Sequence, residues 1–227
     1  MIACLSTLCN LQQPLFRATL LMTLCFVAAS PIALELNQSL IDFIQKRFGI
    51  EAVQRLQQWE KIANFKEDIA VDKKLMLVNT FFNRAEFVSD QEHWGKQDYW
   101  ATPVELLATN AGDCEDYSIA KYFTLKEMGV EEEKLKITYV KAIKLDQAHM
   151  VLAYYPEPGA EPYILDNLIN EIKPASERDD LIPVYSFNGE GLWLSKLRGQ
   201  EGKRIGNSDK LDNWQDLLSR QHKLMPK

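Results

Sequence analysis

The chain has 227 residues, of which 46% are hydrophobic and 26% are charged. This composition is typical of a globular protein that has enough chain to bury a core. The net charge is −6, whereas a protein that neutralises nucleic-acid phosphates needs basic patches. The composition therefore argues against nucleic acid as a partner, and the length predicts one domain, with room for a small appendage.

The N-terminal segment has the pattern of an export signal. Arg17 supplies a positive charge, residues 18–29 form a mostly apolar run without charge, and small residues lie at its end. This run is too short to cross a bilayer as a helix. We expect residues 1–29 to be a signal peptide cleaved after Ala29, leaving one domain over residues 30–227. An uncleaved membrane anchor is the alternative.

Apolar residues at helical spacing dominate the first half of the remaining chain. The predicted helices are two between residues 40 and 65 that Gly49 separates, one over about 71–87, a short one over about 102–109, one over about 113–129 and one over about 211–221. The short helix begins with a capping box, Thr102-Pro103-Val104-Glu105. The polar and aromatic stretch from Ser89 to Trp100 predicts a loop.

After residue 129 the composition becomes typical of β-strands. The predicted strands are 135–143, 149–155, 163–166, 184–187 and 192–194. A Pro-Glu-Pro-Gly turn at 156–159 makes the second and third strands an antiparallel pair. Helices followed by antiparallel strands indicate the α+β class. We divide the domain into a helical part over about 38–90, a core over about 100–200 and a C-terminal helix over about 208–222.

Cys114 is the one cysteine that remains once the signal is removed, because Cys4, Cys9 and Cys25 lie within the signal. A lone thiol cannot form an internal disulfide, so it is either a structural cysteine or a nucleophile. Gly112 allows a sharp turn into the predicted helix. A helix N-terminus lowers the pKa of a thiol and offers N–H groups to a developing oxyanion. The position therefore favours a nucleophile.

A nucleophilic cysteine needs a base, and the chain has three histidines. His149 opens the second predicted strand and Asp166 closes the third, so antiparallel pairing would place them side by side. Asp166 would then orient the imidazole. His93, in the aromatic loop, is the rival base, and His222 is expected to be a solvated helix residue. Cysteine, histidine and aspartate in this order indicate a catalytic triad.

Three carboxylates surround the cysteine, and they should raise the pKa of its thiol by like-charge repulsion. Acidic residues favour the first turn of a helix, which accounts for one or two of Asp113, Glu115 and Asp116. A bound Ca²⁺ would account for the whole cluster, since it takes carboxylate and carbonyl oxygens. The residues alone leave both explanations open.

Three segments together resemble the bacterial transglutaminase-like cysteine proteinases, and among these the LapG type. They are Gly-Asp-Cys-Glu-Asp-Tyr at 112–117, Ala-His-Met-Val-Leu at 148–152 and Ile-Leu-Asp-Asn at 164–167, and the resemblance covers about residues 40–220. It implies a papain-like α+β fold with the triad Cys114, His149 and Asp166. It also implies calcium dependence, with Asp113 and Glu115 as the best-matching ligands and Asp116 as a further candidate.

The resemblance also implies a function. It predicts a periplasmic endopeptidase that cleaves a large surface adhesin near its N-terminal end, at a paired-alanine site, and so releases the adhesin and disperses the biofilm. The implied regulator is a LapD-like inner-membrane receptor that sequesters the protease when it binds cyclic di-GMP. Acyl transfer on the same triad, as in a transglutaminase or amidase, remains an alternative. So does a periplasmic calcium-binding adaptor with an incidental cysteine.

Two tryptophans precede the nucleophile, and transglutaminase-type sites often place a tryptophan beside it. We therefore regard Trp94 and Trp100 as candidates for contact with substrate or partner. For Trp100, a place in the hydrophobic core is equally compatible with the sequence.

Overall fold

The computed structural model describes residues 33–65, 69–195 and 202–225. Within these ranges the helices are α1 (Gln38–Phe48), α2 (Ile50–Ala63), α3 (Val71–Phe82), α4 (Asp90–His93), α5 (Pro103–Thr109), α6 (Cys114–Glu127) and α7 (Asp212–Leu224). The strands are β1 (Glu86–Phe87), β2 (Ala111–Gly112), β3 (Leu135–Ala142), β4 (Gln147–Tyr154), β5 (Tyr163–Leu165), β6 (Lys173–Pro174), β7 (Leu181–Phe187), β8 (Leu192–Leu194) and β9 (Lys203–Gly206). The segment predicted to be a signal peptide lies outside the described residues.

Seven of the strands form one antiparallel sheet in the order β6-β5-β4-β3-β7-β8-β9. Helix α6 packs against β4 and β3 at its centre, and α2, α3 and α5 pack around α6. The short strands β1 and β2 form a separate parallel pair. This arrangement confirms the α+β class, with the cysteine-bearing helix on an antiparallel sheet. None of the helices in the described ranges combines the length and apolar character that a membrane crossing needs.

Several predicted boundaries are wrong, and each error comes from contacts between distant parts of the chain. The third helix ends at Phe82 and not near residue 87, because Glu86 and Val88 donate backbone hydrogen bonds to Asn110 and Gly112 in the β1–β2 pairing. The loop predicted over 89–100 contains the short helix α4. The sequence patterns do not predict strands β1, β2, β6 and β9. Tertiary pairing of this kind overrides local propensity.

The core lies between the helices and the sheet, and it holds α6 in a fixed position. Trp59 of α2 is fully buried and donates its indole N–H to the Thr124 hydroxyl of α6 over 2.7 Å. On the other side of α6, Phe123 stacks against Trp214 of α7, with ring centroids 5.7 Å apart. Arg55 of α2 donates to the carbonyl oxygens of Leu107 and Ala108, at the end of α5. Helix α6 is therefore held near its C-terminal end by both apolar and polar contacts, and α5 is tied to α2.

Candidate active site

Cys114 is the first residue of α6, and close packing fixes the turn that leads into it. Strand β2 ends at Gly112, where a Cβ atom would lie 2.5 Å from a carboxylate oxygen of Asp116. Only glycine fits that space. One turn into the helix, the Ser118 hydroxyl lies 3.1 Å from the Met150 carbonyl oxygen and so ties α6 to β4. Cys114 is half-buried and free, and it is the one cysteine within the described ranges.

His149 and Asp166 form a buried pair at the neighbouring end of the sheet. His149 lies in β4, and Asp166 directly follows β5, which pairs with β4 through Leu152 and Leu165. The imidazole Nε2 lies 2.8 Å from Oδ1 of Asp166, and the two residues are 3% and 1% exposed. The structure thus brings together the histidine and aspartate that antiparallel pairing predicted.

Sequence reasoning missed Arg178, which holds the other side of Asp166. The guanidinium Nη2 donates to Oδ2 of Asp166 over 2.7 Å and also bonds Asp180. Burial alone would raise the pKa of Asp166, but hydrogen bonds from His149, Leu168 and Arg178 lower it to about 2. Arg178 lies in the connection before β7, and no local pattern in the sequence pairs it with Asp166.

Cys114 and His149 line the same cavity, which has a volume of about 440 Å³. Apolar and aromatic side chains form much of its wall, among them Phe87, Tyr139, Leu168 and Tyr185. Asp166 lies behind His149, bonded to the imidazole nitrogen on that side. The three predicted triad residues are therefore gathered at one site, two at the cavity surface and one behind it.

The other two histidines lie elsewhere. His93 is in α4 with its ring edge-on to Trp94, at a centroid distance of 4.4 Å, and burial lowers its pKa. His222 is exposed on α7. Neither ring is among the side chains that line the Cys114 cavity, so the geometry favours His149.

The two tryptophans have different surroundings. Trp100 is buried, stacks on Phe187 at a centroid distance of 5.3 Å and also lines the cavity. It therefore combines the core position and the cavity-wall position that the sequence left as alternatives. Trp94 packs instead against His93 and Tyr99, so the geometry gives the substrate-contact hypothesis more support at Trp100 than at Trp94.

A cluster of carboxylates lies beside the nucleophile and is larger than the sequence indicated. In addition to the predicted Asp113, Glu115 and Asp116, the fold brings in Asp90 and Asp98. Three sets of side chains each bring their ligand atoms within 4.8 Å of one another: Asp113 with Cys114 and Glu115, Asp90 with Asp113 and Asp116, and Asp90 with Asp98 and Glu115. The two additional acids come from the segment before α5, and their only sequence signal is an acidic residue within a polar loop.

Electrostatics in this cluster are unfavourable without a cation. Burial raises the pKa of Asp90 to about 6, of Glu115 to about 7 and of Asp113 to about 8, and neighbouring carboxylates add to each rise. Burial, then the charge of Glu115, likewise raises the pKa of the Cys114 thiol, which donates to Oε2 of Glu115 over 3.0 Å. The carboxylate cluster therefore opposes formation of the Cys114 thiolate.

The donor set fits a hard divalent cation. One oxygen each of Asp90 and Asp113 is buried and has no hydrogen-bond partner among the described residues. Orphaned buried oxygens are costly, and a cation would satisfy them. Carboxylate oxygens suit Ca²⁺, whereas the soft thiolate of Cys114 does not. The carboxylates, and not the cysteine, are thus the candidate ligands.

Comparison with known proteins agrees with the geometry. Residues 46–194 match the family described as bacterial transglutaminase-like cysteine proteinase BTLCP. The solved structure of Legionella pneumophila LapG is 40% identical, with a TM-score of 0.70 over 83% of this chain and 99% of that one. Its calcium-bound structure is 42% identical, with a TM-score of 0.67 over 80% and 98% of the two chains. An EGTA-treated structure of the same protein also matches, at 40% identity and a TM-score of 0.70.

Comparison with curated protein sequences gave no match. The family match covers more than half of the chain, and the three LapG comparisons above cover four-fifths of it or more. The chain therefore belongs to the bacterial transglutaminase-like cysteine proteinases.

Proposed function

We propose that this protein is a calcium-dependent cysteine endopeptidase with the triad Cys114, His149 and Asp166. The observation that carries the proposal is the convergence of Cys114 and the buried His149–Asp166 pair on one cavity. A nucleophile, a base and an orienting carboxylate in this arrangement perform acyl transfer.

The geometry supports a role for each residue of the proposed triad. Asp166 binds Nε2 of His149, which leaves Nδ1 as the ring nitrogen that can accept the thiol proton of Cys114. The thiolate attacks the peptide carbonyl carbon, and a carbon–sulfur bond forms. The imidazolium then protonates the leaving amine as the carbon–nitrogen bond breaks. His149 next removes a proton from water as the water oxygen attacks the acyl carbon. The carbon–sulfur bond then breaks, which releases the acid, and the imidazolium returns its proton to the Cys114 thiolate.

The oxyanion of this reaction needs hydrogen-bond donors near Cys114. The backbone N–H of Cys114 is at the first position of α6, where helical N–H groups have no partner within the helix. The partial positive charge of the helix N-terminus favours negative charge there. We assign this N–H as one donor to the oxyanion.

Calcium would be held by the carboxylates of Asp113, Glu115 and Asp116, together with Asp90 and Asp98. When bound, it supplies positive charge that offsets the repulsion between these carboxylates and a Cys114 thiolate. The support for this role is the pair of orphaned oxygens on Asp90 and Asp113 and the similarity to a protein solved with calcium bound.

We further propose a periplasmic location after removal of residues 1–29, with a large surface adhesin as substrate. Cleavage in the N-terminal region of the adhesin would release it and promote biofilm dispersal. A LapD-like inner-membrane receptor would control the enzyme in response to cyclic di-GMP. These proposals rest on the signal-like N-terminus and on the similarity to LapG.

The direct test is cleavage of an N-terminal fragment of the adhesin encoded alongside this protein. We expect the wild-type enzyme to cut the fragment in calcium and to stop in EGTA, and Cys114→Ala to be inactive in both. Cutting by Cys114→Ala would show that the nucleophile is wrong. An unchanged rate in EGTA would remove calcium from the proposal.

The same assay separates the alternatives. With a primary amine added, an acyltransferase would form amine adducts faster than hydrolysis products. A non-catalytic adaptor would leave the fragment intact under every condition while still binding calcium.

A further inference from the structure

The carboxylate of Asp166 is held at both oxygens by different parts of the chain. Oδ1 faces His149 Nε2 at 2.8 Å and also accepts the Leu168 backbone N–H over 3.0 Å. Oδ2 accepts Nη2 of Arg178 over 2.7 Å. Asp166 and Arg178 are almost fully buried, at 1% and 4% exposure.

Arg178 is itself held by a second carboxylate, that of Asp180. Its Nε and Nη2 donate to the two carboxylate oxygens of Asp180, each over 2.9 Å. The hydrogen bonds to Asp180 and Asp166 keep the guanidinium charged, although burial acts against that charge. Arg178 therefore links the connection before β7 to the residue that follows β5.

Holding both oxygens has a geometric consequence. The last torsion of an aspartate side chain is broad and roughly two-fold, so one hydrogen bond does not define the plane of the carboxylate. Leu168 and His149 share Oδ1, and among the described residues only Arg178 forms a hydrogen bond with Oδ2. Without that contact the carboxylate can rotate, and the direction of its bond to His149 changes.

A purely stabilising role explains this arrangement less well. A buried ion pair often adds little net stability compared with apolar residues of the same volume. At Arg178 the free-energy cost of burying the guanidinium is higher, because its Nη1 is buried without a hydrogen-bond partner among the described residues. An arginine at this position is therefore a poor choice for stability alone.

We propose that Arg178 is a positioning residue for catalysis, which orients Asp166 so that His149 presents its other ring nitrogen to Cys114. This inference rests on the proposed triad. Arg178 itself lies behind Asp166 and contacts neither the thiol nor the cavity.

One further charged group faces Asp166 from a different element. Lys121 lies two turns after Cys114 on α6 and is fully buried. Burial lowers the pKa of Lys121 to about 7, although the negative charge of Asp166 acts to raise it. Arg178, and Lys121 when it is protonated, put positive charge near Asp166. The test must therefore read the geometry of the His149–Asp166 bond and not only the charge.

The test compares Arg178→Met with Arg178→Lys and Arg178→Gln in the full mature enzyme with calcium. The matched control is Arg55→Met, which removes another partly buried guanidinium, one that bonds the carbonyls of Leu107 and Ala108. Cleavage of the adhesin fragment gives kcat and KM. Proton NMR of the free enzyme reads the His149 ring proton bonded to Asp166, assigned by its loss in His149→Ala.

We expect Arg178→Met to lower kcat by about 100-fold, since a displacement of about 1 Å at a catalytic group can cost that much. KM should stay within about threefold, because substrate contacts are unchanged. The downfield ring proton should shift or broaden in Arg178→Met and recover in part in Arg178→Lys. Arg55→Met should leave kcat and the ring proton unchanged. If Arg178→Met does not fold, Arg178→Lys and Arg178→Gln are judged by the same criteria.

Folded Arg178 variants with wild-type kcat and an unmoved ring proton would overturn the proposal. So would an equal loss of kcat in Arg55→Met, which would indicate general destabilisation. If instead Cys114→Ala cleaves like the wild type, the proposed function fails. The NMR comparison still decides whether Arg178 positions Asp166.

Discussion

Replacing Asp90 by asparagine should stabilise the calcium-free protein at neutral pH, although most substitutions of buried residues destabilise. Asp90 is 3% exposed, and burial raises its pKa to about 6 from 3.8. At about 1.4 kcal/mol per pKa unit, this difference corresponds to about 3 kcal/mol. Because the pKa of Asp90 is higher in the folded state than in the unfolded state, ionisation of Asp90 lowers the free energy of unfolding. This loss of stability is absent below about pH 4, grows as the pH rises to about 6 and is complete at pH 7.5.

Two effects reduce the stability that Asp90→Asn is expected to gain. The Asp90 carboxylate accepts the backbone N–H of Tyr99, a bond that an asparagine oxygen retains in weaker form. Solvent near the cluster also screens part of the repulsion. We therefore expect Asp90→Asn to raise the free energy of unfolding by about 1–2 kcal/mol at pH 7.5 in EGTA, and by about zero at pH 4.

Calcium should reverse the order of stability. A cation at 100 times its Kd stabilises the folded wild type by about 2.7 kcal/mol, and Asp90→Asn should lose most of this response with one anionic ligand missing. Urea unfolding at pH 4 and pH 7.5, in EGTA and in calcium, measures both effects. Asp209→Asn, at an exposed aspartate, is the control and should change neither. An Asp90→Asn protein that is no more stable than the wild type in EGTA at pH 7.5 would refute the reasoning.

Three further substitutions test the triad and the packing around it. Asp166→Asn should lower kcat by about 10²- to 10⁴-fold by analogy with other triads, and retention of nearly full activity would remove Asp166 from the triad. Because the pKa of Asp166 is lowered to about 2, the ionised carboxylate stabilises the fold fully above about pH 4, and this stabilisation is lost as the pH falls towards 2. The unfolding free energies of the wild type and Asp166→Asn should therefore converge between pH 4 and pH 2. A difference that stays constant over this range would contradict the prediction. Gly112→Ala puts a methyl group 2.5 Å from Asp116 and should destabilise by about 1–3 kcal/mol in urea unfolding, whereas a neutral effect would mean that the turn into α6 relaxes freely. Trp59→Phe removes the 2.7 Å bond to Thr124 and should cost about 1–3 kcal/mol, with wild-type stability as the contrary result.

Local sequence patterns predicted the parts of the fold that depend on local chemistry. Helical periodicity located α1, α2 and α6, and β-branched and aromatic runs located β3 and β4. The capping box at Thr102 is present, with Thr102 and Glu105 bonding each other's backbone N–H groups. These features need only neighbours in the chain, so the sequence shows them directly.

The remaining features depend on contacts between distant residues. The β1–β2 pair joins Glu86 to Ala111, and neither two-residue strand is long enough to give a periodic pattern. Asp90 and Asp98 join the carboxylate cluster only because the segment before α5 folds over the start of α6. An acidic residue in a polar loop is too common to predict a ligand.

The same distinction between local patterns and distant contacts applies to the candidate site. Cys114 followed by His149 and Asp166 was visible as an ordered set, because the strand pairing that joins the last two spans a single turn. Arg178 was not visible, because its partner Asp166 is in a different strand connection and the arginine has no sequence motif. A buried guanidinium can be recognised only when the burial itself is known.

The most direct test of the central claim uses the lone thiol of the predicted mature chain. The enzyme is alkylated in calcium with iodoacetamide for increasing times, and the fraction of modified Cys114 is measured by peptide mass spectrometry alongside cleavage of the adhesin fragment. If Cys114 is the nucleophile, activity falls in proportion to its modification and reaches zero when it is complete. An enzyme that still cleaves with Cys114 fully alkylated would contradict the account.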